Sequence, residues 1–241
     1  DNRIVLQVMR DLRWTRNGGA VSPSSFIPMA EDTGLIRKLG LFAIESVCRQ
    51  LVEWQRTYST VFATHLNISA RQLIFPGFPK DVRRILERTK VDPALLVFEI
   101  TESALLDQGG VCLQGIHQLR ELGIQFCLDD FGTGFSSLSY LRQLPLACMK
   151  VDRSFITDIE TNRQSMIIVR NLISLGNELG LSVVVEGVER RSQVEALFAA
   201  GCSLAQGFHF ARPLPASDAE GWISSSRNAF LVDNSALLVN S

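Results

Sequence analysis

The stretch Phe126-Cys127-Leu128-Asp129-Asp130 sets the pattern of the whole chain, because an apolar run ends in acidic residues and a helical pattern follows. Five other stretches share the plan of an apolar run that ends in a polar residue, namely 62–67, 96–99, 148–152, 183–186 and 204–206. In a parallel barrel the carboxyl ends of the strands meet on one face, where active sites are built. We therefore expect these six strand ends to line one cup.

The residues at these strand ends are amides, acids and one lysine: Asn67, Glu99, Asp129, Asp130, Lys150, Asp152, Glu186 and Gln206. Oxygen donors of this kind are the ligands that hard divalent cations select. A lysine among carboxylates can also contact a phosphate. The predicted cup therefore indicates chemistry on a phosphorylated ligand with a divalent metal.

Helical patterns at 79–90, 110–122, 163–179 and 190–200 alternate with the strand runs, and such alternation favours a parallel sheet. The 241 residues match the usual size of one barrel. We predict an α/β fold, a TIM-like (β/α)8 barrel that is modified or incomplete at the N-terminus. Residues 1–225 would form the barrel domain, without its first strand, and residues 226–241 a C-terminal tail.

The N-terminal part gives the weakest barrel pattern. One strand-like segment, residues 3–13, precedes a helical pattern at 27–56, so at most seven parallel strands are predicted, with an eighth missing or upstream. The tail is expected to be irregular or to cover a sheet edge, because an unclosed barrel exposes strand edges. The segment 107–110 is expected to be a turn before a helix.

The composition narrows the range of possible functions and ligands. With 24 basic and 25 acidic residues the net charge is −1, so no overall field attracts a nucleic-acid polymer or a membrane. The five cysteines follow no metal-binding spacing and are expected to be reduced core residues, which fits a cytoplasmic protein. The three histidines, His65, His117 and His209, are expected to have no catalytic or metal role.

The motifs at the strand ends resemble those of one known family. Asp129-Asp130-Phe131-Gly132-Thr133-Gly134, together with Asn67-Ile68-Ser69, Glu99-Ile100-Thr101-Glu102, Lys150-Val151-Asp152, Glu186-Gly187-Val188-Glu189 and Gln206-Gly207-Phe208, resembles the EAL domain, the bacterial cyclic di-GMP phosphodiesterase fold. The likeness runs from about residue 3 to residue 215, with six motifs in the family's order. It implies hydrolysis of cyclic di-GMP to 5′-pGpG in bacterial second-messenger signalling.

The resemblance also implies a role for each matching residue. Asn67, Glu99 and Asp129 would hold one Mg²⁺ or Mn²⁺. Asp130 would serve a second ion and take part in catalysis, and Glu186 would be a further metal residue that works with the metal-bound water. Lys150 would be the catalytic lysine. Arg13, Gln206 and Asp152 would contact the substrate, and Glu102 and Glu189 would support the loop that follows Asp129. A homodimer and upstream sensory or GGDEF domains in a longer parent protein are further implications.

The chain departs from the family at the motif that names it. Alignment on Leu12-Arg13-Trp14 puts Met9 at the glutamate position of Glu-Ala-Leu, whereas alignment on Arg3-Ile4-Val5 puts Val8 there. Either register removes a carboxylate that the family uses as a metal ligand, and a thioether does not suit Mg²⁺. The family's upstream strand also has no counterpart. We therefore expect impaired hydrolysis.

Three functions remain open at this point. The chain could be a metal-dependent phosphodiesterase that tolerates the altered strand, and it would then produce 5′-pGpG. It could instead be a catalytically inactive cyclic di-GMP receptor or regulatory module, which would bind without turnover. If residues 1–11 are an unrelated start, the domain would neither bind nor cut.

Overall fold

The computed structural model describes residues 5–6, 14–16, 19–58, 63–132, 141, 144–212, 214, 216, 218–221 and 237–238. The strands are Val5–Leu6 (β1), Trp14–Arg16 (β2), Gly19–Val21 (β3), Ala63–Asn67 (β4), Leu96–Thr101 (β5), Gln125–Phe131 (β6), Cys148–Val151 (β7), Ser182–Val185 (β8), Leu204–Ala205 (β9) and Leu237–Leu238 (β10). The α-helices are Pro23–Asp32 (α1), Ile36–Tyr58 (α2), Ala70–Leu73 (α3), Phe78–Thr89 (α4), Glu102–Glu121 (α5), Arg163–Glu178 (α6) and Arg191–Ala199 (α7).

The main sheet is parallel and follows chain order. Its strands run β1-β4-β5-β6-β7-β8-β9-β10, and each neighbouring pair is parallel. β2 and β3 form a separate antiparallel pair. Over the described residues no ladder joins β1 to β10, so this part of the chain forms an open, barrel-like sheet. The predicted α/β fold with a parallel sheet and covering helices is confirmed.

The helices cover the sheet because their apolar residues recur on one face. On α2, Ile44, Val47, Leu51 and Trp54 are buried, at spacings of three and four residues. They cover an apolar strand face in β5, where Leu96, Phe98 and Ile100 are fully buried. This core orients the alternate residues of each strand towards the opposite side of the sheet, where the polar strand ends lie.

One helix prediction and one turn prediction were wrong. The pattern at 27–56 is interrupted, because α1 ends at Asp32 and α2 begins at Ile36, with Gly34 at φ +72° between them. That φ is accessible to glycine without steric cost, so the chain can turn there. The segment 107–110 is not a turn, since it lies inside α5. Packing of the whole helix outweighs the poor helix propensity of Gly109 and Gly110.

The predicted limit of seven parallel strands was also wrong. Leu237–Leu238 pairs in parallel with Leu204–Ala205 and supplies an eighth strand from the C-terminal tail. The backbone of this short strand pairs with the edge of β9, which would otherwise expose unpaired N–H and C=O groups. None of the described helices combines the length and the apolar character that a membrane span would require.

Position 207, which follows Gln206 at the end of β9, requires glycine because the backbone of another segment packs closely against it. A Cβ at this position would lie 2.2 Å from the carbonyl oxygen and 2.3 Å from the nitrogen of Val188, and φ is +154°. No side-chain rotation can relieve a clash with backbone. We expect Gly207→Ala to reduce the unfolding free energy by about 3 kcal/mol in urea denaturation.

Gly221 provides the matched control, because a Cβ there would meet nothing within 4 Å. Since this residue is helical, Gly221→Ala should leave stability unchanged or raise it by up to about 1 kcal/mol. Equal stability of the two variants would contradict the requirement at Gly207.

Candidate active site

Lys150 is the centre of a charged cluster at the carboxyl ends of the strands. Its side chain is 2% exposed, and Nζ lies 2.6 Å from Oε1 of Glu99 and 2.8 Å from Oε1 of Glu186. Oδ1 of Asp129 lies 3.7 Å from the same nitrogen. Four successive strands, β5 to β8, thus bring one ammonium group among three carboxylates. The predicted convergence of these strand ends is observed.

The cluster fixes the charge of the lysine. Burial alone would lower the pKa of Lys150, but the neighbouring carboxylates outweigh it, and the pKa is raised well above its usual range. The same competition acts on Glu99. Burial would raise the pKa of this carboxyl, but the hydrogen bond with His65 and the charge of Lys150 outweigh burial and lower it. Lys150 is therefore a fixed positive charge, and Glu99 a fixed negative one.

An irregularity in β6 places two consecutive acids near one another. The β6–β7 register shifts between Leu128 and Phe131, and Asp130 has φ +55°. A regular strand would point neighbouring side chains to opposite faces. Here the carboxylate oxygens of Asp129, Asp130 and Glu186 lie within 4.8 Å of one another. Asp is among the few residues that tolerate this backbone conformation, so the doublet suits the irregularity.

Crowding of these acids changes how readily they ionise. Burial raises the pKa of Asp129 to about 7, and the charges of the neighbouring carboxylates act in the same direction, against the opposing charge of Lys150. Burial also raises the pKa of Asp130, with a further contribution from Asp152. The site therefore favours a cation that can replace protons on these oxygens.

Glu186 and Gln206 form a second polar contact in the cup. Nε2 of Gln206 donates to Oε1 of Glu186 over 2.5 Å, and burial raises the pKa of Glu186. Gln206 is 6% exposed, and its Oε1 is buried and has no hydrogen-bond partner among the residues that the structure describes. A buried acceptor without a partner costs stability, so this oxygen is suited to receive a donor from a ligand.

Three further predicted residues lie around the same strand ends. Asn67 is exposed and is the ladder partner of Glu99. Asp152 is half-buried, and its Oδ1 accepts a hydrogen bond from the backbone N–H of Ser154 over 2.9 Å. Oε2 of Glu102 accepts from the backbone N–H of Gly132 over 3.0 Å, at the start of the loop after β6.

Two predicted residues are not brought into the cup by the described contacts. Glu189 has an exposed side chain, and its backbone N–H donates to Oε1 of Gln193 over 2.9 Å. Arg13 lies outside the described residues, as do Met9 and Val8, the two positions considered for the missing glutamate. Their roles remain predictions.

His65 makes a contact that the sequence did not predict. Its Nδ1 lies 2.7 Å from Oε1 of Glu99, and both residues are buried. The expectation that His65 has no catalytic or metal role stays a prediction. A usable signal was present, because His65 lies two residues before Asn67 on one strand and therefore shares its face. The partner on the next strand could not be foreseen, since it depends on the register.

The expectation that all cysteines are reduced was wrong for two of them. Cys127 and Cys148 form a disulfide, whereas Cys48, Cys112 and Cys202 are free. The two bonded residues are ladder partners on β6 and β7. Their separation of 21 residues in sequence gives no sign of this contact, which arises from the pairing of two strands.

The donor set fits a hard divalent cation. Asp129, Asp130 and Glu186 each offer an oxygen within 4.8 Å of the others, and they are partly exposed rather than sealed. Mg²⁺ and Mn²⁺ both prefer such oxygen donors, and Mg²⁺ commonly uses one or two carboxylates and keeps several waters. The residues present can therefore hold the metal that the motif pattern predicts.

Comparison with known proteins agrees with the observed fold. The EAL domain family model matches residues 3–213. The protein y4lL of Sinorhizobium fredii is 42% identical over 214 residues, which cover 88% of this chain and 25% of that protein. The bifunctional diguanylate cyclase/cyclic di-GMP phosphodiesterase MucR of Pseudomonas aeruginosa is 38% identical over 206 residues, 85% of this chain and 30% of MucR.

A solved structure extends the likeness to three dimensions. The MucR phosphodiesterase in complex with cyclic di-GMP superposes with a TM-score of 0.80 at 37% identity, covering 86% of this chain and 84% of that one. The chain belongs to the EAL domain family, and the resemblance carried by its motifs is confirmed. It spans only 25% and 30% of the length of the two relatives described above.

Proposed function

We propose that this chain is a metal-dependent phosphodiesterase domain that opens cyclic di-GMP to linear 5′-pGpG, with hydrolysis weakened by the loss of one ligand carboxylate. The observation that supports it best is the buried Lys150 among Glu99, Asp129 and Glu186 at the carboxyl ends of adjacent strands. This cluster lies in a member of a family whose relatives include a named cyclic di-GMP phosphodiesterase.

Asn67, Glu99 and Asp129 are the proposed ligands of one Mg²⁺ or Mn²⁺, while Asp130 and Glu186 would serve a second ion. When bound, such metals lower the pKa of water and neutralise charge on a phosphodiester. The close approach of Asp129, Asp130 and Glu186 supports this assignment, since their oxygens lie within 4.8 Å of one another.

Lys150 would stabilise charge that develops on the phosphate. Its pKa is raised far above neutrality, so it is a poor proton donor and a persistent positive charge. A preorganised charge in a dry site needs no rearrangement during the reaction. The three surrounding carboxylates hold the ammonium group in one position, which suits an electrostatic role better than acid catalysis.

Glu186 would take the proton of the attacking water. Burial raises its pKa towards the working range, which improves a carboxylate as a general base. Gln206 orients this carboxylate through Nε2 and leaves Oε1 free for a donor on the nucleotide. In the reaction the water oxygen bonds to phosphorus, the bond from phosphorus to one ribose oxygen breaks, and that oxygen receives a proton. Arg13 and Asp152 are the other proposed substrate contacts.

The proposal places this domain in the bacterial cytoplasm, within a longer signalling protein. Its relative MucR is named as a bifunctional cyclase and phosphodiesterase, which supports a parent that also carries a GGDEF or sensory domain. A homodimer is part of the same proposal.

Turnover provides the direct test. The purified chain, incubated with cyclic di-GMP and excess Mn²⁺, should release 5′-pGpG that chromatography resolves. Glu186→Ala should reduce this rate by at least about a hundredfold, because it removes the general base. Glu195→Ala is the control, since that glutamate lies on the exposed face of α7. Absence of product from the unaltered chain would overturn the phosphodiesterase proposal.

A receptor is the second candidate, and the Met9 or Val8 position favours it because the ligand carboxylate is absent there. Calorimetry with cyclic di-GMP distinguishes the two functions. Binding without product would identify a receptor or regulatory module. Neither binding nor product would identify an incomplete domain.

Metal binding should depend on pH because Asp129 must lose its proton. Its pKa is raised to about 7, so the carboxyl is mostly neutral below that pH and mostly ionised above it. Mn²⁺ affinity is therefore expected to rise roughly tenfold between about pH 6 and about pH 8. Calorimetric titration at both values measures the change. Asp129→Asn should flatten the dependence, and equal affinities for the unaltered chain would contradict the prediction.

A further inference from the structure

Cys127 and Cys148 form a disulfide across the middle of the sheet. The two residues are ladder partners on β6 and β7, and their Cα atoms lie 4.6 Å apart. They are 0% and 6% exposed. Cα separations of about 4.4 to 6.8 Å accommodate a disulfide, so the strand pairing itself brings the two sulfurs into bonding position.

The pair lies directly beneath the candidate active site. Cys127 precedes Asp129 by two residues, and Cys148 precedes Lys150 by two. Because side chains alternate along a strand, each cysteine shares a face with the site residue that follows it. With Val97 and Ala63, the pair forms a small apolar cluster that is separate from the main core. The disulfide is therefore part of the floor of the cup.

His65 gives the pair a second connection to the site. A ring nitrogen of His65 and both sulfurs lie within 4.8 Å of one another. Nδ1 of the same ring lies 2.7 Å from Oε1 of Glu99, which in turn lies 2.6 Å from Nζ of Lys150. The sulfurs are thus linked to the acidic cluster through two strands and through one histidine side chain.

We propose that Cys127 and Cys148 are a reversible oxidation site whose state sets the spacing of the metal ligands above it. Bonded sulfurs lie about 2.05 Å apart, whereas non-bonded heavy atoms separate to roughly 3.5 to 4 Å. Protein interiors are close-packed, so β6, β7 or His65 must shift to accept two free thiols. Such a shift would reach Asp129, Lys150 and Glu99.

Hydrogen peroxide is the oxidant that we assign to this buried pair. One cysteine sulfur attacks a peroxide oxygen, the O–O bond breaks, and a sulfenic acid and one water result. The second sulfur then attacks the sulfenic sulfur, the S–O bond breaks, the S–S bond forms and a second water leaves. Two electrons pass from sulfur to peroxide, and the two thiol protons end in water. A dithiol reverses the change by exchange.

The oxidised state is expected to bind Mn²⁺ more tightly, because a crosslink between β6 and β7 holds the ligand positions fixed. Reduction should weaken Mn²⁺ binding by roughly tenfold, as small misplacement of ligands costs affinity. The inference rests on the proposed function for its biological meaning. Its readouts, the thiol state and the Mn²⁺ affinity, do not require turnover.

The experiment uses the full chain after peroxide treatment or after dithiothreitol, each removed before measurement. Alkylation of free thiols followed by peptide mass spectrometry reports whether Cys127 and Cys148 are joined, and calorimetry reports Mn²⁺ affinity. Cys127→Ala should abolish the difference between the two treatments. Cys202→Ala should retain it, because that thiol is free and lies just before β9.

A Cys127–Cys148 peptide that appears with peroxide and disappears with dithiothreitol, together with the affinity change, supports the proposal. It is overturned if the thiol state does not respond, or if the two states bind Mn²⁺ equally or not at all. These measurements on the unaltered chain decide the matter even if Cys127→Ala fails to fold. An affinity change without 5′-pGpG in either state would sink the phosphodiesterase proposal alone, and turnover together with equal Mn²⁺ affinity in the two thiol states would sink this one alone.

Discussion

Lys150→Met is expected to lower the unfolding free energy by about 3 kcal/mol and to reduce hydrolysis at least about a hundredfold. The ammonium group lies within 2.8 Å of both Glu99 and Glu186 in a position that is 2% exposed. Methionine fills much of the same volume but removes the positive charge that lies between those carboxylates. Their mutual repulsion in a largely buried site accounts for the predicted loss of stability.

Denaturation in urea with and without Mn²⁺ would separate the two effects. If the carboxylates also hold the metal, Mn²⁺ should restore part of the stability of Lys150→Met while the rate of hydrolysis stays low. Lys80→Met provides the control, because Lys80 is exposed on α4 and should change neither quantity. A Lys150→Met chain that is as stable and as active as the original would show that the buried cluster has no role in either property.

Restoring the missing carboxylate should strengthen Mg²⁺ binding and hydrolysis. Met9→Glu is expected to raise Mg²⁺ affinity by about a hundredfold, which corresponds to about 3 kcal/mol, and to increase Mg²⁺-dependent hydrolysis. Both Met9 and Val8 lie outside the described residues, so each position is tested by its own glutamate variant.

Met9→Gln separates charge from size, because it adds a polar oxygen without a negative charge. Calorimetry with Mg²⁺ and chromatography of 5′-pGpG would be run on Met9→Glu, Met9→Gln and Val8→Glu. A gain in Val8→Glu alone would support the other register. If both glutamate variants fold and bind cyclic di-GMP yet remain inactive, the absent upstream strand would be the better explanation for weak hydrolysis.

The strand ends could be predicted from sequence because their pattern is local. Glu99, Asp129, Lys150 and Glu186 each follow a short apolar run, so the run and its polar end can both be read from a few consecutive residues. Parallel topology then brings those ends to one face, and the contacts of Lys150 follow. The family resemblance supplied the proposed roles, and the role of each residue is still to be tested.

Contacts between strands could not be predicted in the same way. The bond between Cys127 and Cys148 and the contact of His65 with Glu99 both depend on lateral register, which one strand does not specify. The break between α1 and α2 has a different cause, because an apolar pattern can continue across a turn. Only the backbone conformation of Gly34 reveals where the chain changes direction.

The register shift in β6 has a consequence for protein engineering. A regular strand displays every second residue to a given side, so copying the letters Asp-Asp onto another barrel would send one carboxylate into the apolar layer. The two acids approach one another here with Asp130 in a left-handed backbone conformation. A graft of this site would therefore have to transfer the local irregularity along with the two acids, and a valine or isoleucine at position 130 would disfavour it even in a design that supplied the charge elsewhere.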